Sequence, residues 1–416
     1  MKKFHDVYPR EKYLKGIRPF YKSDVIKIVT GIRRCGKSYL MRAIINELLD
    51  LGTDPARIVY VPLDKRGFKS IKTADQLEKR IESMLADDDF HYLIVDEVQN
   101  VKGFEPVVQA FAEEGFSVFL TGSNSYLLSD EISTKLTGRY LSFEVFPLDF
   151  AEYLEMKKFR GRPVGDDLDS EFDEYLLNGG FPKSLEFDDV AARQFYTRGI
   201  IEEIFDKDVR TRNRISNKAV FERVQSFLIN NYAKVVSVPS IVKSLSEQGI
   251  STTARTVRKY IADLQKAKIV FECNRFDLKS KKSLSREQKY YLADLSLYFS
   301  TNTDNRLSYG PSLENIVYLY LVSNGYSVSV GKIGKLECDF ISRDPEGQYA
   351  YIQVTYSLQG GNEEATEKLK EREYRPFRSI RDGYPRYIIS LDRHRDQQEG
   401  VHHINAIDLF LGRVRI

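Results

Sequence analysis

The sequence predicts an α/β protein whose first 150 residues form one mostly parallel sheet flanked by helices. Three observations predict it. Short β-branched runs alternate with helical apolar spacing along that stretch. A glycine-containing loop joins the first run to the first helix. Hydrophobic residues are 42% and charged residues 30% of 416, the balance of a globular protein with enough chain to bury several cores.

Val25–Thr30 reads as the first strand, and an apolar-periodic helix follows over about 38–51. Arg57–Leu63 is the second strand. Leu77, Ile81 and Leu85 recur at i, i+4, i+8 and predict a helix over Thr73–Leu85. His91–Val95, Phe116–Thr121 and Tyr140–Phe146 complete a set of five strands. Phe150–Asp208 reads as helices around Gly179-Gly180-Phe181-Pro182, a turn. Beyond Ser300 a polar stretch suggests a boundary. After it come a helix over Leu313–Asn324 and strands at Glu337–Ser342, Tyr349–Thr355 and Tyr387–Ser390. The expected division is 1–150, 151–215, 216–300 and 301–416.

Charge and cysteine narrow the function classes. The 63 Lys+Arg and 60 Asp+Glu leave a net charge of +3. That sum hides an asymmetry: Arg193–Arg286 holds 20 basic and 9 acidic residues, and the remainder carries −8. A basic middle suggests either a polyanion-facing module or a solvated helical surface. Cys35, Cys273 and Cys338 form neither a disulfide framework nor a zinc pattern and suit a reducing compartment. No apolar run reaches membrane-spanning length, and no apolar stretch follows Met1–Asp6. The expectation is a cytoplasmic protein without a membrane partner.

Gly31-Ile32-Arg33-Arg34-Cys35-Gly36-Lys37-Ser38 fits G-x-x-x-x-G-K-[ST] between a strand and a helix. Gly31 and Gly36 let backbone N–H groups wrap a phosphate tail, and the following helix turns its positive dipole end toward the anion. Lys37 brings a point charge to the β/γ-phosphates, and the Ser38 hydroxyl is a Mg²⁺ ligand. Tyr39 adjoins the same site. Tyr92-Leu93-Ile94-Val95-Asp96-Glu97 is an apolar strand ending in two carboxylates. In that pairing Asp96 holds Mg²⁺ and Glu97 orients the attacking water. Taken alone, Asp-Glu after a strand is also an ordinary helix cap. Thr121, Ser123 and Asn124, after the next strand, are candidate γ-phosphate sensors with Asn124 favoured, although Gly122–Ser125 is also good turn chemistry. Arg139 is either an arginine finger for a neighbouring subunit or a surface arginine. ATP and Mg²⁺ are the expected cofactors. No guanine-reading Asn-Lys-x-Asp motif is present.

The set Thr30–Ser38, Val95-Asp96-Glu97-Val98-Gln99, Leu120–Ser125 and Leu136–Tyr140 resembles a large group of prokaryotic AAA-type P-loop ATPases. Members of that group carry a second domain of unknown function. The likeness extends to Phe146–Tyr153 and Asn178–Pro182, and so over nearly the whole chain. It implies an ASCE-type sheet, in which the sensor strand lies between the two Walker strands, and it implies ATP hydrolysis.

The basic middle has the order of a winged helix. A helix over Pro239–Gln248 is followed by a turn at Gly249–Thr253 and an amphipathic helix over Ala254–Lys266. Arg255, Arg258 and Lys259 lie opposite Val257, Ile261 and Leu264 on that second helix. Ile269–Phe276 and Lys289–Ala293 would be wing strands, with Lys279–Ser283, including Lys281 and Lys282, as a basic tip. Such a module docks on double-stranded DNA or on a protein partner. In the C-terminal part, Glu314, Asp339 and Gln353 resemble the PD-(D/E)xK nuclease-like pattern. That pattern implies acidic Mg²⁺ ligands and a lysine. Gln353 and Thr355 stand where an acid and the lysine are expected, so cleavage is expected to be lost or impaired. His402-His403 reads as surface. The functional expectation is an ATPase coupling nucleotide state to DNA. The alternatives are a nucleotide-switched protein-interaction module and an ATP-dependent nuclease with a degenerate site.

Overall fold

A computed structural model describes residues 2–87, 89–122, 136, 139–204, 217–302, 309–393 and 397–416. The chain divides into two compact units, Met1–Pro147 and Leu148–Ile416. None of the described helices is long and apolar enough to cross a membrane.

The first unit is built on a five-stranded parallel sheet. Its strands are β1 (Ile26–Thr30), β2 (Ile58–Pro62), β3 (Tyr92–Asp96), β4 (Ser117–Thr121) and β5 (Tyr140–Glu144). The order across the sheet is β2-β3-β4-β1-β5, so the strand after the paired carboxylates lies between β3 and β1. Strands β1 to β4 are buried along their whole length, because parallel strands covered on both faces expose no polar side. Edge strand β5 is half-exposed. Helix α1 spans Glu11–Ile17, α2 Lys37–Asp50, α3 Ala74–Glu82 and α4 Glu105–Glu113. Helices α1 and α4 were not expected from the sequence. One core runs from Ile26 and Ile28 through Leu93 and Val95 to Leu77, Ile81, Val108 and Leu120.

The second unit begins with α5 (Phe150–Phe159), α6 (Leu168–Asn178) and α7 (Val190–Ile204). The Gly-Gly turn after α6 is required by close approach. A Cβ on Gly180 would meet Leu148 O at 2.1 Å, and one on Gly179, at φ +71°, would meet Asp294 Oδ1 at 1.8 Å. Gly180 N donates to Asp294 Oδ2 at 2.6 Å, and Leu148 N donates to Gly180 O at 2.7 Å.

Then come α8 (Lys218–Asn230), β6 (Val235–Val236), α9 (Val238–Glu247), α10 (Ala254–Lys266), β7 (Val270–Asp277) and β8 (Lys282–Leu292). Ser237 and Thr253 cap α9 and α10 by accepting the N–H of Ser240 and Thr256. The chain continues through α11 (Ser296–Thr301), α12 (Tyr309–Ser323), β9 (Ser327–Ile333), β10 (Leu336–Arg343) and β11 (Tyr349–Val354). It ends with α13 (Glu363–Arg378), β12 (Arg386–Ser390), β13 (Gln397–Gln398), β14 (Val401–Asn405) and α14 (Ala406–Phe410).

The β7/β8 hairpin does not stand free as a wing. β7 pairs in parallel with β9, so one nine-stranded sheet runs β13-β14-β12-β11-β10-β9-β7-β8-β6. The expected boundary near residue 300 therefore falls inside one continuous sheet, and the second unit is not divided there. Two local expectations also change. β8 starts at Lys282, so Lys282 belongs to the strand and the turn shortens to 278–281. His403 is not on the surface as expected: it is buried and hydrogen-bonds Ser390 Oγ on β12 at 2.7 Å, because successive residues of β14 point to opposite faces of the sheet and His403 takes the inner one; His402 stays outside.

Candidate functional site

The C-terminal ends of β1, β3 and β4 meet at one edge of the first unit's sheet, and each delivers a polar group. β1 runs into the glycine loop. Gly31 has φ +143°, and a Cβ there would meet Val145 O at 2.1 Å, so no other residue fits between β1 and the chain leaving β5. Gly36 caps α2 in the left-handed region at φ +107°, and Arg34 lies there too, at φ +66°. This alternation of hands curls backbone N–H groups into a concave nest of the kind that binds anions. Lys37, nearly buried, turns its Nζ back to Gly31 O at 2.8 Å and Ile32 O at 3.2 Å. Cys35 is fully buried beneath the loop, and burial pushes its thiol pKa up. Arg33 is half-buried, whereas Arg34 and Tyr39 are exposed, with the Arg42 guanidinium 4.8 Å from the Tyr39 ring centre.

β3 ends in Asp96, which is wholly buried. Its Oδ1 accepts from Ser38 Oγ at 3.0 Å and from Thr121 Oγ1, and its Oδ2 accepts from Tyr60 OH at 3.2 Å. Burial raises its pKa. The Thr121 and Ser38 hydrogen bonds oppose that rise, and the charges of Glu97 and Asp64 add to it. Thr121 Oγ1 also accepts the Glu97 N–H at 2.9 Å. That bond helps hold Glu97 in the left-handed region at φ +59°, an uncommon conformation for glutamate. The Glu97 side chain is half-buried and accepts from Gln99 Nε2. Ser38, Asp96, Glu97 and Thr121 thus form one connected polar chain that joins the start of α2 to the ends of β3 and β4.

A family model described as "AAA domain" matches residues 23–154, and one described as "Domain of unknown function (DUF8612)" matches residues 169–306. An "Uncharacterized protein" of Haemophilus influenzae is 30% identical over 407 residues, covering 97% of this chain and 98% of that one. The chain belongs to that protein's family, whose first unit here is an AAA-type P-loop ATPase domain. A protein of Methanocaldococcus jannaschii, also described as uncharacterized, is 29% identical over 364 residues, 83% of this chain and 78% of its own. The solved structure of the Walker-type ATPase paby2304 of Pyrococcus abyssi shares the fold at a TM-score of 0.52 and 17% identity, over 72% of this chain and 97% of its own.

In the AAA-type domain Ser38, at the start of α2 beside the glycine loop and Lys37, is linked to Asp96 directly and to Glu97 through Thr121. Asn124 and Ser123 lie outside the described residues, and Thr121 is the sensor candidate seen in the polar chain. Arg139 is elsewhere. It precedes Tyr140, which is in register with Ile26 at the start of β1, so it lies at the end of the sheet opposite the loop. Its Nη1 pairs with Glu113 Oε1 at 2.6 Å on the surface. Arg10 is a further residue beneath the loop that the sequence does not single out. This buried guanidinium donates to Cys35 O at 3.0 Å and Phe146 O at 2.7 Å, bracing the loop against the end of the unit. No motif marks it; only the fold brings residue 10 beneath residue 35.

In the second unit α10 buries Val257, Tyr260, Ile261 and Leu264 and leaves Arg255, Arg258 and Lys259 exposed. Lys281 and Lys282 are exposed as well. Glu314 and Asp339 come together in this unit. Gln353 lies beside them, its Oε1 accepting the Asp339 N–H at 3.3 Å. Thr355 Oγ1 donates to Ser357 O at 3.3 Å and takes no part. Lys289, expected only at the start of a wing strand, stands at the centre of this group.

Proposed function

We propose that the AAA-type domain binds ATP with Mg²⁺ and hydrolyses it, and that nucleotide state is coupled to duplex DNA held by the second unit. The observation that carries the ATPase reading is the Ser38–Asp96–Thr121–Glu97 chain at the loop edge of the sheet. The residues there fit a hard divalent cation, since all donors are oxygens: the Ser38 hydroxyl and the Asp96 carboxylate lie 3.0 Å apart, and the buried Asp64 Oδ1 has no hydrogen-bond partner. Ser38 and Asp96 would hold Mg²⁺, which supplies charge neutralisation at the β/γ-phosphates. Gly31 to Gly36 wrap the phosphates with backbone N–H groups, and Lys37 swings from its own loop carbonyls to the anion. Glu97, fixed through its N–H by Thr121, orients the attacking water. Arg139 can act only in a neighbouring copy's site, which makes the shared-site oligomer part of this proposal.

Lys37→Ala is expected to lose ATP binding, and Glu97→Gln to bind ATP while losing at least about 10²-fold in turnover. Normal turnover in Glu97→Gln would remove it from the water-orienting role. For the DNA arm, Arg255, Arg258 and Lys259 form an exposed basic helix face. A combined Arg255→Ala/Arg258→Ala variant is expected to weaken duplex binding and flatten its salt dependence. The hairpin built into the sheet favours a second reading, in which α10 docks a protein and ATP acts as a switch. Duplex DNA that leaves the ATPase rate unchanged and does not bind would select it.

A further inference from the structure

Lys289 lies on β8, between β7 and β6. Its Nζ is 2.8 Å from Glu314 Oε1, 2.9 Å from Glu337 Oε1 and 3.6 Å from Asp339 Oδ1. Glu314 comes from α12. Glu337 and Asp339 come from β10, two residues apart and so on one face of the strand. The lysine side chain is 5% exposed and those of Glu314 and Asp339 are 12% and 11% exposed. The other bonds of the three carboxylates are also internal. Tyr291 OH donates to Glu314 Oε1 at 2.7 Å, Arg275 Nη2 to Glu337 Oε2 at 2.9 Å, and Val354 N to Asp339 Oδ2 at 2.8 Å.

Around this cluster the chain runs α12, β9, β10, β11, α13, β12. The first three strands are antiparallel and β12 is parallel to β11. That order supports the nuclease-like reading, and such a site would hold a divalent cation on its acids. The residues present do not fit one. A Mg²⁺ ion bonds carboxylate oxygens at about 2.1 Å. The point toward which Glu314, Glu337 and Asp339 converge is filled by an ammonium, and a second cation beside it meets strong like-charge repulsion. Gln353 spends its amide oxygen on the Asp339 N–H, and among the described residues no group of three His, Cys, Asp or Glu is arranged to hold a metal.

We propose that the Lys289 ammonium is a built-in replacement for the divalent cation of a nuclease-like site, so that the second unit is a metal-independent, non-cleaving module. The proposal rests on the nuclease-like reading of that unit. It accounts for the two departures from the nuclease pattern: with no metal to bind, an acid at Gln353 and a lysine at Thr355 have no task. Burial and the Glu314 charge push Asp339 up to about 8, while Lys289 opposes that rise. Burial disfavours the charged lysine, but Glu314, Asp339 and Glu337 outweigh it and hold its pKa above the usual lysine range. Without the ammonium, Glu314 Oε1, Glu337 Oε1 and Asp339 Oδ1 would still face the vacated point, so its deletion should create a cation site.

The test is Mn²⁺ titration of the full-length, nucleotide-free protein, read by the electron paramagnetic resonance signal of free Mn²⁺, beside a plasmid-nicking assay. The wild type is expected to show no Mn²⁺ binding that Asp339→Asn removes, and no nicking. Lys289→Met is expected to gain one Mn²⁺ site at least 10-fold tighter than any in the wild type, and Lys289→Met/Asp339→Asn to lose it. Wild-type Mn²⁺ binding abolished by Asp339→Asn, or wild-type nicking abolished by Lys289→Met, would overturn the replacement while leaving the nuclease-like reading intact. A folded Lys289→Met protein that gains no Mn²⁺ site would likewise overturn the replacement. Should Lys289→Met fail to fold, the wild-type and Asp339→Asn comparison still decides.

Discussion

Thr121 shows how one hydroxyl can hold an active-site geometry together. It donates to Asp96 and accepts from the Glu97 N–H, so the Asp96 carboxylate and the Glu97 backbone are fixed relative to each other by a group from the neighbouring strand. Thr121→Val keeps the shape and removes both bonds. It should cost about 1–3 kcal/mol of stability and lower kcat more than it raises KM, which steady-state ATPase kinetics and urea unfolding would read. Lys27 offers a test away from the site. It is fully buried in β1, with Nζ 2.8 Å from both Ser23 O and Ser117 Oγ. Burial pulls its pKa from 10.5 to about 7, against the opposing charge of Asp24. Below about 7 both folded and unfolded states carry the proton and the burial penalty is complete. Between about 7 and 10.5 the unfolded chain binds more protons, so stability should rise with pH by up to about 1.4 kcal/mol per unit. Lys27→Met should flatten that rise in urea unfolding between pH 7 and 10, and an unchanged slope would exclude Lys27 as its source.

At the scale of elements, local signals and packing divide the work. The spacing of Leu77 and Ile81, the cap at Thr253 and the β-branched run ahead of Gly31 specify their elements locally, and the observed bounds agree within a few residues. The Gly179-Gly180 turn is legible as a turn, but its reason is tertiary: Leu148 O and Asp294 occupy the space a side chain would need. Gly180→Ala should therefore destabilise by about 2–4 kcal/mol, and thermal unfolding of the second unit would show it. A turn needing only flexibility would lose much less. Helix α4 and strand β9 were not expected, although each carries a short local signal: Val107, Val108, Phe111 and Ala112 recur at helical spacing, and Ser327–Val330 alternates polar and apolar before Gly331 interrupts it. Pairing with β7 and β10 then carries β9 on to Ile333.

At the scale of the molecule, the nine-stranded sheet changes what counts as a part. The parallel pairing of β7 with β9 spans residues 275–277 and 330–332. It joins the helix-turn-helix segment to the strands that carry Asp339 and Gln353. A fragment ending near residue 300 would expose the unpaired edge of β7 and is expected to aggregate, whereas 148–416 is expected to be soluble and folded. Calorimetry of the full chain should resolve no more than two transitions. A separate third transition for residues 217–302 would contradict the shared sheet.

The amino-acid sequence by itself determined the phosphate loop, the carboxylate pair and the parallel α/β character of the first unit. Each depends on residues close together in the chain and on backbone conformations that glycine and strand periodicity dictate. Only the tertiary structure decided that Arg10 braces the loop, that Thr121 links Asp96 to Glu97, and that Lys289 stands among Glu314, Glu337 and Asp339. Those contacts join residues that are 24 to more than 100 positions apart. Burial, not spacing, gives them their energetic weight, because a charge removed from water must find its partner wherever the fold brings one.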